Sequence, residues 1–335
     1  MMLTLVGLSR GMLDDSVRRA RGVGADIWVR PPGSSALSFS SAPMPEKMVE
    51  YFEKQPHVEL AYGSVSHPIG GINTVTGIDL ERFNQMSGGF TYLSGGPFQY
   101  PEDVIVDDYY ARENEKKVGD TIKILNRDWR ISGIVEPGKM NRLVVPIKTL
   151  QDLTGNTGKL SQVLIKLDDP NLVDQVIAQF KKTFPGHQIY SVEEFTSLFS
   201  INNIPALRSF IYVVIGLSVV IGFLVVFLSM YTAVLERTRE IGVLKALGAS
   251  PRFVMGMLMR ETVILALAGS VLGILLTYAS RAVVMTIVPA SLKQMIVPDW
   301  WPIAAGISLA GAMLGTLYPG LKAAKQDAIE ALAYE

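Results

Sequence analysis

Residues 210–234 read FIYVVIGLSVVIGFLVVFLSMYTAV without a single formal charge, and this stretch restricts the fold more than any other feature. As a helix it would measure about 37 Å, enough to cross a hydrocarbon core of roughly 30 Å with room to tilt. Helices of soluble proteins seldom stay apolar on every face for that distance. Two more runs follow, residues 262–280 and residues 300–321, the second of them charge-free between Asp299 and Lys322. Trp300 and Trp301 open the last run and Tyr318 lies near its far end, as interfacial aromatics do. Small residues recur inside both: Ala268, Gly269, Ser270 and Gly273, then Gly306, Ala310 and Ala312. Because small residues let backbones approach closely in lipid, they predict packing between the spans.

The basic residues orient these spans. The link 235–261 holds Arg237, Arg239, Lys245, Arg252 and Arg260, whereas the link 281–299 holds only Arg281 and Lys293. The positive-inside rule places the first link, with Lys322 and Lys325, in the cytoplasm. Residues 14–205, of mixed polar and apolar composition, then form an extracytoplasmic domain. An odd number of spans leaves residues 1–13 to explain. Residues 1–8 (MMLTLVGL) are apolar but reach only about 12 Å. They are expected to be the outer end of a first transmembrane helix, with further apolar residues encoded upstream of Met1.

Within residues 14–205 the pattern mixes α and β, with room for two subdomains. A Pro/Ser-rich loop at 31–45 precedes a short helix within 44–55 and strands at 57–66 and 72–79. A strand at 104–106 leads to a helix at 109–117, capped by Asp107 or Asp108. Val118-Gly119-Asp120 then turns into a hairpin of 121–125 with 129–135. Asp169-Pro170 sets the N-cap and first position of an amphipathic helix over 170–183, between strands at 163–167 and 188–190.

Catalytic chemistry is hard to find. His57, His67 and His187 lack metal-ligand spacing, and two of the three Asp-Asp pairs (14–15, 107–108, 168–169) sit where helix caps are needed. Gly155 to Leu160 lacks the spacing of a phosphate loop, so the chain reads as a non-catalytic subunit that binds no cofactor itself. With 31 basic and 31 acidic residues no broad field favours nucleic acid. The absence of cysteine removes disulfides, thiolate zinc sites and iron–sulfur clusters.

The segment 236–251, ERTREIGVLKALGASP, lies between the first two complete spans. Ile241, Leu244 and Leu247, with Val243, form an apolar face over residues 236–248, and Glu236, Arg237, Arg239, Glu240 and Lys245 the other. Gly248 suits the left-handed position that ends a helix, and Ser250-Pro251 suits the start of the next. On residues alone such a helix can lie at the lipid interface, link the spans in solvent, or dock a partner.

This segment resembles the signature of the MacB/FtsX-type ABC transporter permeases, a family that includes lipoprotein-releasing permeases. The Val118-Gly119-Asp120 turn and the tail YPGLKAAKQDAIEALAYE are similar too, except that Ala328 stands where the family has proline. The resemblance implies a membrane α-helical bundle, with three complete spans (about 210–234, 262–280 and 300–321) and a remnant of a first, carrying an inserted α+β extracytoplasmic domain. It implies a multi-pass protein of the bacterial inner membrane, with residues 206–335 as the permease domain and residues 236–248 as the coupling helix. A cytoplasmic ABC ATPase would bind the ATP and seat on Glu236, Arg237, Arg239, Glu240, Ile241, Gly242, Leu244, Lys245, Leu247 and Gly248. A second permease copy, identical or not, membrane lipids and a periplasmic adaptor or other outer partner would complete the assembly. Motion of the outer domain would drive export or efflux by mechanotransmission; the alternatives are activation of cell-wall hydrolases and lipoprotein release. A membrane-anchored enzyme and a passive anchor or sensor are the rival readings.

Overall fold

The structure, a computed structural model, describes residues 2–34, 44–70, 73–199, 203, 205–287 and 294–325. The described parts of residues 1–9, 205–284 and 294–335 form one compact unit, and those of residues 10–204 and 285–293 another. The tail motif at residues 327–332 and most of the loop at 31–45 lie outside the described residues.

The chain opens with helix α1 (Met2–Arg21), a single continuous element where a short remnant ending at residue 13 was expected. Its residues 2–9 belong to the first unit and 10–21 to the second. The second unit then adds β1 (Ile27–Arg30), β2 (Met44–Pro45), α2 (Lys47–Glu53), β3 (Val58–Gly70) and β4 (Asn73–Ile78). Next come α3 (Leu80–Ser87), β5 (Tyr92–Gly95), β6 (Asp103–Asp107), α4 (Asp108–Glu113), β7 (Thr121–Ile124) and β8 (Arg127–Val135). It ends with β9 (Leu143–Pro146), α5 (Ile147–Leu153), β10 (Lys159–Leu160), β11 (Gln162–Leu167), α6 (Val173–Thr183), β12 (Gln188–Ser191) and α7 (Val192–Ser197).

Ten of these strands make one sheet in the order β12-β1-β11-β3-β4-β9-β6-β8-β5, with β7 also on β8. Most pairs are antiparallel; β4 with β9 and β6 with β8 are parallel. Alternation along the strands sends side chains to two faces. Ile27, Val29, Val163, Ile165 and Ala61 join Phe52 of α2, Leu150 of α5 and Phe180 of α6. Trp28, Leu164 and Tyr62 join Ala20 of α1, Phe83 of α3 and Phe195 of α7. Helices therefore cover both faces, and strands such as β1 and β6 are buried throughout.

Local chemistry starts the helices. Asp79 accepts from the Glu81 and Arg82 amides at the head of α3, Asp107 from Tyr110 N at 2.8 Å in α4, and Ser191 from Glu194 N in α7. Asp169 caps as expected, but the first turn it caps, Pro170–Leu172, is a 3-10 turn that precedes α6.

Among the described residues of the first unit, three helices are long and apolar enough to cross a membrane: Leu207–Glu236, Pro251–Val284 and Pro298–Lys325. They lie within α8 (Pro205–Glu236), α10 (Pro251–Ile287) and α11 (Trp301–Lys325) with its leading 3-10 turn. Each extends beyond its charge-free run. At 34 residues the second would measure about 51 Å, so its ends outreach a hydrocarbon core.

The small residues behave differently from one another. A Cβ on Gly315 would sit 3.1 Å from Phe223 O and 3.2 Å from Phe227 N, so α11 meets α8 at near backbone contact there. A Cβ on Gly320 would press on Met255 Sδ. By contrast a Cβ on Gly269, Gly273 or Gly306 would meet nothing. Gly269 and Gly273 line a cavity of about 280 Å³ with Gly222 and Ser308, so the expected close approach fails at those positions. Gly315→Leu is expected to force α8 from α11 and cost about 1–3 kcal/mol, read as a lower melting temperature in detergent. Ala310→Leu, at an exposed position of α11, should leave it within about 0.5 kcal/mol.

Candidate functional site

The connection between α8 and α10 is shorter than the expected helix of 236–248. Glu236 is the last residue of α8, Arg237 the N-cap, and α9 runs Thr238–Ala246. The chain stays nearly helical through the joint: Arg237 N donates to Ala233 O at 3.1 Å and Ile241 N to Arg237 O at 3.0 Å. The Thr238 hydroxyl, buried, donates back to Val234 O at 3.0 Å. Such back-bonding competes with the backbone ladder and favours a bend.

The C-terminal end closes as the residues demand. Gly248 adopts φ +95°, a conformation costly for any residue with a Cβ. Ala249 N reaches back to Leu244 O at 3.0 Å, satisfying one carbonyl that the helix end leaves open. The Ser250 hydroxyl then accepts from Phe253 N at 3.3 Å, and Pro251 opens α10. Two helices therefore meet at a tight, glycine-dependent corner.

The side chains divide into those held by their own chain and those turned outward. Ile241 is 2% exposed and packs with Val234, Val254, Leu258 and Ala323; Gly242 beside it is also buried. Leu244 is half-buried, while Val243 and Leu247 are exposed, Leu247 at 81%. The expected apolar face is thus split, with Ile241 serving the bundle and Leu247 facing away from it. Of the charged residues, Arg237 pairs with Glu261 of α10 at 3.3 Å and Lys245 donates to Ala324 O at 3.0 Å. Glu236, Arg239 and Glu240 are exposed. Glu261 and Ala324 were not singled out from sequence; the acid–base match between Arg237 and the head of the second span was the available signal for Glu261.

No cluster of three or more His, Asp or Glu residues with metal-holding geometry occurs among the described residues. An outward-facing apolar side chain stands on a short helix that is fixed by Ile241, Lys245 and Arg237 to α8, α10 and α11.

Comparison with known proteins covers both parts of the chain. Residues 1–183 match the family described as MacB-like periplasmic core domain, and residues 212–328 match the FtsX-like permease C-terminal family. An uncharacterized ABC transporter permease of Methanocaldococcus jannaschii is 26% identical over 67% of this chain and 59% of its own length. The uncharacterized ABC transporter permease YknZ of Bacillus subtilis is 28% identical over 65% of this chain and 55% of its own. The macrolide export ATP-binding/permease protein MacB of a Shewanella species is 30% identical over 70% of this chain and 38% of its own. The chain thus spans less than two thirds of each of these relatives. Among solved structures, the periplasmic region of MacB from Actinobacillus actinomycetemcomitans superposes with a TM-score of 0.40 at 16% identity, covering 55% of this chain and 96% of that one.

Proposed function

Because the chain belongs to the FtsX-like ABC transporter permeases that carry a MacB-like periplasmic core domain, we propose that it couples a cytoplasmic ABC ATPase on a partner chain to its extracytoplasmic domain. ATP would be bound and hydrolysed by that partner, and two permease copies would flank the pathway. Export is the favoured outcome, since several relatives are described as macrolide export proteins.

The observation that carries this reading is Leu247, 81% exposed on a helix whose opposite side is packed and hydrogen-bonded to the spans. A groove on an ATPase that covered Leu247 and Val243 would gain apolar contact, and Arg239 and Glu240 would supply polar contacts at the rim. The exposed ion pair of Arg237 with Glu261 contributes only about 0–1 kcal/mol, so it orients α9 more than it stabilises it. An ATPase pulling on Leu247 would load α8 and α10 together, because α9 joins them across the Gly248 corner.

The test is co-purification of the full chain from membranes with the ABC ATPases of the same cell, followed by ATPase assays in nanodiscs. A stable complex in which the permease changes the ATPase rate is expected. Failure of every ABC ATPase to associate would remove the transporter reading and leave an anchor or sensor.

A further inference from the structure

Helix α10 begins well before its apolar run. Phe253 lies nine positions before Thr262, where the charge-free stretch 262–280 opens, and the chain is helical between them. At 1.5 Å per residue the Phe253 backbone stands about 13 Å outside the hydrocarbon core, or about 12 Å at a tilt of roughly 20°. The polar layer of a bilayer adds only about 5–8 Å on each side of that core. Phe253 is 56% exposed, so the head of α10 carries a largely bare aromatic ring beyond the lipid. Across the Gly248 corner, Leu247 is the other large apolar side chain that the bundle leaves bare there.

Local structure fixes where Phe253 points. Its amide donates to Ser250 Oγ at 3.3 Å and to Ser250 O at 2.9 Å. The next residue, Val254, is fully buried with Ile241, Leu258 and Val234. Helix α10 therefore cannot turn about its axis to hide the ring without exposing Val254. A side chain held this way loses little freedom when a partner covers it.

The charges on this stretch are one-sided. Glu261, the one acid in residues 251–261, faces Arg237 at 3.3 Å, while Arg252 and Arg260 are exposed and make no ion pair among the described residues. Arg260, two positions from the apolar run, stands at the level of lipid headgroups, whose phosphates can answer it. Arg252, about 15 Å out, stands beyond them. A bare ring beside a cation, both past the bilayer, fits a protein surface with an apolar pocket and an acidic edge.

We propose that the ATPase seat continues across the Gly248 corner onto the head of α10, with Phe253 as its aromatic anchor and Arg252 at its rim. This rests on the ATPase-coupling reading and extends it beyond α9. The ring would fill a pocket of the ATPase, and carboxylates at the edge of that pocket would meet Arg252. Anchors on two helices would also fix the direction of a pull, whereas a seat on α9 alone could pivot about Leu247.

The test uses the full chain in nanodiscs and the ABC ATPase that co-purifies with it, with affinity read by interferometry. Phe253→Asp is expected to weaken binding about 10–100-fold, and Phe253→Leu by less than about fivefold. Both should keep the wild-type melting temperature, because the ring is exposed. Arg252→Glu should weaken binding about 3–10-fold at low salt, and the deficit should vanish near about 0.5 M salt, where rim charges are screened. The chain has no cysteine, so Phe253→Cys and Leu267→Cys can each be labelled singly with a membrane-impermeant maleimide, without the ATPase. Phe253→Cys should react at least about tenfold faster, since its thiolate forms in water and that of Leu267→Cys would have to form in lipid. Equal rates would place the head of α10 in the bilayer and overturn the proposal. ATPase binding that Leu247→Asp abolishes and Phe253→Asp leaves unchanged would also overturn it, with the coupling reading intact. No association of the wild-type chain with any ABC ATPase would remove both.

Discussion

Leu247→Asp should leave the permease folded and separate it from the ATPase proposed to dock on α9. Leu247 is 81% exposed, so the substitution removes little that the chain itself uses. In the proposed complex it would remove about 1.5–3 kcal/mol of apolar burial and would insert a charge into the ATPase groove, which is costlier still. A fall in affinity on the order of 100-fold or more is expected, read as loss of the ATPase in pull-down with an unchanged melting temperature. Ile241→Asp should behave in the opposite way. Its carboxylate would be buried against Val234, Val254, Leu258 and Ala323, so the melting temperature itself should drop. Leu244→Asp, at a half-buried position, would mix the two effects and is the weaker experiment. Wild-type retention of the ATPase by a folded Leu247→Asp chain would show that the outward face of α9 is not the docking surface.

That separation of roles was only partly legible in the sequence. At about 100° per residue, Ile241 and Leu247 lie roughly 120° apart around a helix, with Leu244 midway. Helical spacing groups all three into one broad stripe, and nothing in the spacing says which edge its own bundle covers. The corner was plainer, because Gly248, Ser250 and Pro251 each satisfy a local backbone requirement that needs no tertiary contact. The spans were plain for a related reason: an unbroken absence of charge is a local property. Their ends were not, since α10 continues through Arg252, Arg260 and Glu261 as a helix beyond the apolar run.

The extracytoplasmic unit shows the same division. Asp107, Asp169 and the β7–β8 hairpin, whose signals are local, stand where the residues place them. Strand β1 has four residues, all buried, so it offers no alternation to read. Strand β9 and helix α5 went unassigned; β9 is held by parallel pairing with β4, some 68 residues earlier, which no local pattern encodes. The burial of Arg30 was missed because an isolated arginine at a strand end reads as solvent-facing.

Asp107→Ala is expected to destabilise the extracytoplasmic unit strongly. Asp107 does two things that sequence showed only as one. Its Oδ1 accepts from Tyr110 N at the head of α4, and its Oδ2 accepts from Arg19 of α1 at 2.6 Å. Both ends of this ion pair are buried, with side chains 11% and 3% exposed. Desolvation opposes the Arg19 charge, but Asp107 and Asp15 outweigh it and hold its pKa above the ordinary value. Removing Asp107 leaves a buried guanidinium with Asp15, one turn earlier on the same helix, as its remaining carboxylate partner among the described residues. Breaking one side of a buried pair costs about 3–5 kcal/mol, and for a unit of this size that lowers the melting temperature by roughly 6–20 °C. Asp107→Asn, which keeps an acceptor for Tyr110 N and loses the charge, should fall between the two. Arg19→Met combined with Asp107→Asn removes both charges and should recover much of the loss, because well-packed neutral groups replace buried ion pairs at little cost. Thermal unfolding of the full chain, followed through near-ultraviolet circular dichroism, reads all three. A melting temperature within 2 °C of wild type for Asp107→Ala would mean that the contact does not fasten α1 to the sheet.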